Sequence, residues 1–156
     1  MADGTFTEAV MSDGVVVVSE SGKGRYQQEV LVGQHRLLAD EPANLGGDDS
    51  GPAPFDFLLT ALGACTAMTL RMYAERKELP LQRVSVTLRH EKVDVDGVRR
   101  DRIERRISLE GDLSPDQRQR LLEIADKCPV HRTLSQPLLI ASSLEPAAES
   151  PAGNTD

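Results

Sequence analysis

From Phe57 to Leu70 the chain carries no charged residue, and Leu58, Leu62, Cys65, Thr69 and then Met72 recur at helical spacing. A helix that is apolar on every side belongs at the centre of a fold, and this run is shorter than the ~18 apolar residues needed to cross a bilayer. Arg71, Glu75, Arg76, Lys77 and Glu78 return it to water, and Pro80 stops it. The rest of the chain must cover that helix with few large side chains, since there is no Trp and only two Tyr and three Phe. A second copy of the chain would supply the missing cover, so the expectation is an intimate homodimer. The alternative is a sheet that wraps the helix within one monomer.

The flanking segments read as strands and short helices. Val15 to Val18, Arg25 to Val32 and His35 to Ala39, separated by Ser21-Gly22-Lys23-Gly24 and Gly33-Gln34, predict a three-stranded meander. A loop of turn formers runs from Asp40 to Pro52. After the helix, Val84, Val86 and Leu88 alternate with polar residues. Ile103, Ile107 and Leu109 alternate with Arg102, Glu104, Arg106 and Ser108, and Asp94 to Gly97 forms the connecting turn. Ser114-Pro115-Asp116-Gln117 predicts a helix start with a capping box, and Pro129 predicts its end at Cys128. Leu138 to Leu144 reads as a last strand, and 145–156 as a disordered tail. The expected architecture is α+β in the order βββ-α-ββ-α-β, one domain over 1–144 in a chain of 156 residues.

Charge and cysteine usage narrow the function classes. Eighteen basic against 25 acidic residues give a net charge of -7, which with the scarcity of aromatic rings disfavours nucleic-acid binding. The acidic start, Met1 to Gly4, lacks the apolar core of a signal peptide, and no membrane partner is expected. Two cysteines are too few for a disulfide scaffold, so the expectation is a cytoplasmic protein with reduced thiols unless chemistry cycles them.

The thiols sit in different settings. Cys65 lies in the uncharged helix, where burial raises a thiol pKa and a nucleophilic role would need a nearby cation; the plainer reading is a core cysteine. Cys128 precedes Pro129, and a helical turn beginning there would make it an N-cap, with free N–H groups, His131 and Arg132 favouring a thiolate. The plainer reading is a cysteine at a helix stop. Cys128 and His131 also have C-x-x-H spacing, with His35, His90 and Cys65 as further candidates. Structural zinc needs a second close pair, so no metal is expected. Neither a G-x-S-x-G elbow nor a phosphate loop is present. The mixed-sign run Arg99 to Arg106 reads as a solvated sheet face, with a groove for an acidic ligand as the lesser alternative.

Asp40-Glu41-Pro42, Gly46-Gly47, Gly51-Pro52-Ala53-Pro54, the segment Ala61 to Leu70 and Cys128-Pro129-Val130-His131-Arg132-Thr133-Leu134 together resemble the OsmC/Ohr family, comprising osmotically inducible protein C and the organic hydroperoxide resistance proteins. The resemblance spans about Gly14 to Leu144. It implies an intertwined α+β dimer around the cysteine helix and a thiol-dependent peroxidase acting on hydroperoxides, organic ones above all. Cys65 would be the attacking thiolate that becomes a sulfenic acid, and Cys128 would resolve it as a disulfide reduced by an external dithiol, with no bound cofactor. The family's thiolate-stabilising Arg comes from the N-terminal hairpin, where Arg25 is the candidate beside Lys23. Its acidic partner falls at Asp56, one position nearer Cys65 than the family glutamate and one methylene shorter. A plain dipole-complementing acid at the helix start is the other reading of Asp56. The rival function is a non-enzymatic dimer that binds a small apolar or acidic ligand or senses redox state.

Overall fold

The computed structural model describes residues 14–146. Strands β1 (Val16–Glu20), β2 (Gln28–Val32) and β3 (His35–Ala39) form an antiparallel meander in that order. Val18 stands opposite Val30, and Val30 opposite Leu37, so β-branched and aliphatic side chains meet across the strands. The turn at Gly33-Gln34 joins Val32 directly to His35.

The glycine-rich loop between β3 and the long helix is organised by one buried carboxylate. Asp40, 2% exposed, accepts hydrogen bonds from the N–H groups of Glu41 (2.8 Å), Asp48 (3.2 Å) and Ser50 (3.1 Å), and from the Ser50 hydroxyl (2.6 Å). The backbone packs so tightly here that a Cβ at Gly47 would lie 1.9 Å from the Glu41 carbonyl oxygen.

Helix α1 runs over Pro54–Arg76, opened by proline at its first position and ended before Pro80. A hairpin follows, β4 (Leu81–Val95) with β5 (Val98–Gly111), turning at Asp96 and Gly97, both at positive φ. These strands are longer than the sequence pattern suggests because regular pairing continues through the charged residues to the turn. Helix α2 (Pro115–Ala125) starts with the expected capping box: the Gln117 N–H donates to the Ser114 hydroxyl at 3.2 Å and the Ser114 N–H to Gln117 Oε1 at 2.9 Å. The short helix α3 (Pro129–Leu134) has Cys128 as its N-cap residue.

The core lies where the C-terminal half of α1 meets α2 and the base of the hairpin. Leu70, Ala74, Leu81, Leu113, Leu121, Ile124 and Ala125 are buried together there. Higher on α1, Gly63 admits Leu88 of β4, whose Cδ1 would stand 2.7 Å from an added Cβ.

Two expectations need correction, the strand at Leu138 to Leu144 and the length of α1. Leu138 to Leu144 forms no strand; Leu139 and Leu144 are almost wholly exposed, and the segment pairs with none of the described strands, without which an isolated strand does not form. The tail at 145–156 lies mostly outside the described residues, and Glu145 and Pro146 are irregular. Within one chain α1 is covered on one side only: Leu62, Gly63, Thr66, Leu70 and Ala74 are buried, whereas Met68 and Met72 are each 61% exposed. Finally, at 23 residues α1 is long and apolar enough to cross a bilayer by length and composition alone, since the span tolerates Asp56 or Arg71 at its margins. Its packing on β4 and α2 identifies it as a core helix.

Candidate functional site

Helix α1 carries Cys65 onto the side where α3 crosses it, and the break between α2 and α3 delivers Cys128 to the same place. Pro129 cannot donate a backbone hydrogen bond and disfavours helical geometry before it, so α2 stops and Cys128 takes an extended conformation (φ -54°, ψ 130°). Its N–H donates to the Ala125 carbonyl (3.3 Å) and its carbonyl accepts from the Arg132 N–H (3.1 Å). The side chain is fully buried, and both cysteines are free thiols.

The two thiols act on each other and are pushed in opposite directions. Burial raises the Cys65 thiol, its hydrogen bond to the Cys128 sulfur and the charge there raise it further, and contacts from the Val130 N–H and the Thr69 hydroxyl only partly offset this. Burial also raises Cys128, but donation from Cys65, from the N–H groups of His131 and Val130, and from the Thr66 hydroxyl outweighs it and leaves this thiol below its ordinary value. The α3 geometry falls short of a full side-chain cap at Cys128, so the N–H contacts act together with the side-chain donors rather than alone.

A cation stands beside Thr66, the neighbour of Cys65, at a position that sequence reading passed over. Arg105 of β5, its side chain 12% exposed, donates to the Thr66 hydroxyl (3.0 Å) and the Ala125 carbonyl (3.3 Å), and pairs with Asp126 at 2.8 Å. The signal was available: Arg105 shares odd parity with Ile103, Ile107 and Leu109, which places it on the apolar face, but the surrounding charges disguised it. The run Arg99 to Arg106 is thus a solvated face only in part. On the same face Asp101 pairs with Lys92 and His90 (both 2.8 Å) and stays more exposed, whereas Arg105 is drawn further into the interior.

Arg25 and Asp56 stand elsewhere. Arg25 is exposed on the connection before β2, its guanidinium 5.0 Å from the centre of the Tyr26 ring, and among the described residues no hydrogen bond or ion pair links it to either sulfur. Asp56 accepts a hydrogen bond from the Ala53 N–H at 2.9 Å, completing the start of α1, which is the helix-terminal reading of that residue. The His131 ring lies 3.8 Å from Asp126. Among the described residues no His, Cys, Asp and Glu side chains are grouped to hold a metal ion.

Beside the thiol pair opens a cleft of about 690 Å³, walled by Leu58 and Leu62 of α1, Ile103 and Ile107 of β5, and Leu122 and Leu134 of the C-terminal helices. Arg105, Asp126, His90 and His131 put polar groups on its rim, and Phe55 stacks on the His90 ring at 4.4 Å. The cysteines do not line the cleft, but Leu62 and Arg105, both bonded to Thr66, do.

Residues 47–143, from the glycine loop through both cysteines, match the family model of the OsmC-like protein. The chain belongs to the OsmC-like family. Solved members share its α+β fold at low identity. An OsmC-like protein from Mycoplasma pneumoniae is 20% identical with a TM-score of 0.62, covering 78% of this chain and 84% of its own. An organic hydroperoxide resistance protein OsmC from Legionella pneumophila is 19% identical with a TM-score of 0.59, covering 77% and 87%. An organic hydroperoxide resistance protein from Elizabethkingia anophelis is 18% identical with a TM-score of 0.57, covering 75% and 84%. No curated protein sequence matches the chain. Family members thus include organic hydroperoxide resistance proteins, which bear on oxidative stress.

Proposed function

We propose that this OsmC-like protein is a thiol-dependent peroxidase that reduces organic hydroperoxides through Cys65 and Cys128. The observation that carries the reading is a pair of free thiols brought close together from residues far apart in sequence, next to an apolar cleft. The Cys65 sulfur attacks the terminal peroxide oxygen; the O–O bond breaks, the alkoxide takes a proton to leave as alcohol, and Cys65 becomes a sulfenic acid. The Cys128 thiolate then attacks that sulfur, expelling hydroxide and forming a disulfide. An external dithiol reduces the disulfide by exchange, so the reaction needs no metal or bound cofactor. A reducing cytoplasm suits that last step. The cleft accommodates an alkyl chain along Leu58, Leu62 and Ile103, which favours organic substrates over hydrogen peroxide. Within one protomer the cation tied to the pair is Arg105, so the proposal rests on Cys65, Cys128 and Arg105 rather than on Arg25 and Asp56.

A homodimer is part of the same proposal. The open face of α1, the unpaired Leu138 to Leu144 and a meander whose strands pack little against the rest of the chain all call for cover of matching apolar character.

The test is consumption of an alkyl hydroperoxide in the presence of a dithiol. Wild type should consume it and Cys65→Ser should not, while equal rates in the two would overturn the proposal. A protein that only bound ligands in the cleft would leave both thiols unchanged in mass after one equivalent of peroxide.

A further inference from the structure

We propose that Arg105 is a positioning residue for the joining of the two thiols: from β5 it fastens the stretch of α1 that carries Cys65 to the end of α2 that leads into Cys128. Arg105 Nη1 donates to the Thr66 hydroxyl at 3.0 Å and to the Ala125 carbonyl at 3.3 Å, and Nη2 donates to Asp126 at 2.8 Å. Thr66 is fully buried and follows Cys65 in the chain. Its hydroxyl proton goes to the Leu62 carbonyl at 2.7 Å, which pins Oγ1 against its own helix and leaves a lone pair for Arg105. At the other end of the clamp, Ala125 closes α2 and is itself fully buried, so its carbonyl needs a partner that the helix no longer provides. That oxygen accepts from Arg105 and also from the Cys128 N–H at 3.3 Å, so one atom is shared by the guanidinium and the cysteine backbone.

The fork of the guanidinium is what makes the clamp. One nitrogen bridges α1 and the end of α2, while the other is held from the solvent side by Asp126, the residue that caps α2. A lysine would bring the charge but not two nitrogens in a fixed plane. The Asp126 carboxylate answers the charge of Arg105 directly, so the side chain acts through placement rather than as a free cation. A second hydrogen bond between side chains of α1 and α2, from Arg120 to the Tyr73 hydroxyl at 3.3 Å, lies about two turns further along α1 and touches neither cysteine segment.

A disulfide tolerates a narrow range of Cβ separations and dihedral angles, so the ease of joining two thiols depends on how closely the reduced protein already holds them in that arrangement. Cys65 is carried by a regular helix, and the Cys128 backbone is fixed by the Ala125 carbonyl and the Arg132 N–H. The remaining freedom is the placement of one unit against the other, which is what Arg105 ties. The use of this clamp in catalysis rests on the peroxidase reading above. There the Cys128 thiolate attacks the Cys65 sulfenic acid, the S–S bond forms, the S–O bond breaks and hydroxide leaves. With glutathione disulfide in place of peroxide, one cysteine displaces a glutathione thiolate and forms a mixed disulfide. The other cysteine then attacks that bond and releases the second glutathione. Both routes end on the same internal step, and that step is the one the clamp governs.

The experiment equilibrates the full-length protein with mixtures of reduced glutathione and glutathione disulfide, then alkylates and weighs it to count internal disulfide, mixed disulfide and free thiol. Wild type should form the internal disulfide. Arg105→Met should lower its equilibrium constant about tenfold or more, with the mixed disulfide accumulating in its place, and Arg105→Lys should behave like Arg105→Met. Arg120→Met, which loses only the distant tie to Tyr73, should match wild type. Equal constants in Arg105→Met and wild type, an equal fall in Arg120→Met, or full rescue by Arg105→Lys would each overturn the clamp, as would a wild type that yields mixed disulfides alone. If Arg105→Met does not fold, Thr66→Val and Thr66→Ser decide the matter: the first should lose internal disulfide, the second should keep it, and equal values would overturn the proposal. No peroxide is present, so a protein that behaves as expected here yet consumes no hydroperoxide would refute the peroxidase reading and leave the clamp standing.

Discussion

Replacing Met68 with Lys tests whether a second copy covers α1. Met68 and Met72 are each 61% exposed on the helix face opposite the core. Complete burial of a methionine side chain contributes about 1.5–3 kcal/mol, so covering what remains exposed contributes about 1–2 kcal/mol for each. The four such side chains of a symmetric pair would then supply about 4–7 kcal/mol, comparable with the lower estimates of the entropy lost on association. Met68→Lys removes half of that contribution and sets two ammonium groups against an apolar surface. The dissociation constant should rise at least about 100-fold, equivalent to about 2.7 kcal/mol. Sedimentation over a range of concentrations reads this directly: wild type at twice the chain mass, the variant shifting to the single chain. Since Met68 is outside the core, circular dichroism should show its helices retained. Identical sedimentation of the two proteins would refute the argument that this face is an interface.

Two further outcomes follow from the interior. Leu121 is completely buried between α2 and α1, so Leu121→Ala should lower unfolding free energy by about 2–5 kcal/mol in urea titrations; a loss under about 1 kcal/mol would mean the core is not packed as described. Asp40 is held below the usual carboxyl range chiefly by the Ser50 hydroxyl, with burial opposing and the N–H groups of Ser50, Glu41 and Asp48 assisting. A carboxyl lowered by folding contributes stability above its unfolded pKa, near ~4, and that contribution is lost as pH falls through the folded value. Wild type should therefore lose its advantage over Asp40→Asn progressively below about pH 4, and parallel pH profiles of the two would contradict the assignment.

Local chemistry made much of this fold readable. Ser114 and Gln117 announced α2, Pro54 and Pro80 bounded α1, and Pro129 fixed Cys128 at a helix boundary, because caps and prolines act within a few residues and need no tertiary context. Arg105 escaped because a strand in which nearly every residue is charged hides the period of two, and only the paired partner Leu88 reveals which face it takes. Leu138 to Leu144 was misjudged for the opposite reason: its pattern is that of a strand, but strands are made by their neighbours, and none stands beside it. Within one protomer the Arg25 side chain lies against Tyr26, a placement that the motif around it did not foretell.

The backbone of Cys128 is fixed on both sides, by the Ala125 carbonyl before it and the Arg132 N–H after it, with Pro129 locking the next φ. In the proposed cycle, oxidation of the pair would then fall to side-chain rotation rather than to movement of α2 or α3. A change of oxidation state so confined leaves the outer surface nearly as it was, and nothing outside the molecule would register it. Such silence serves a site that must return to its starting shape on every cycle, whereas a sensor has to display its state to be read.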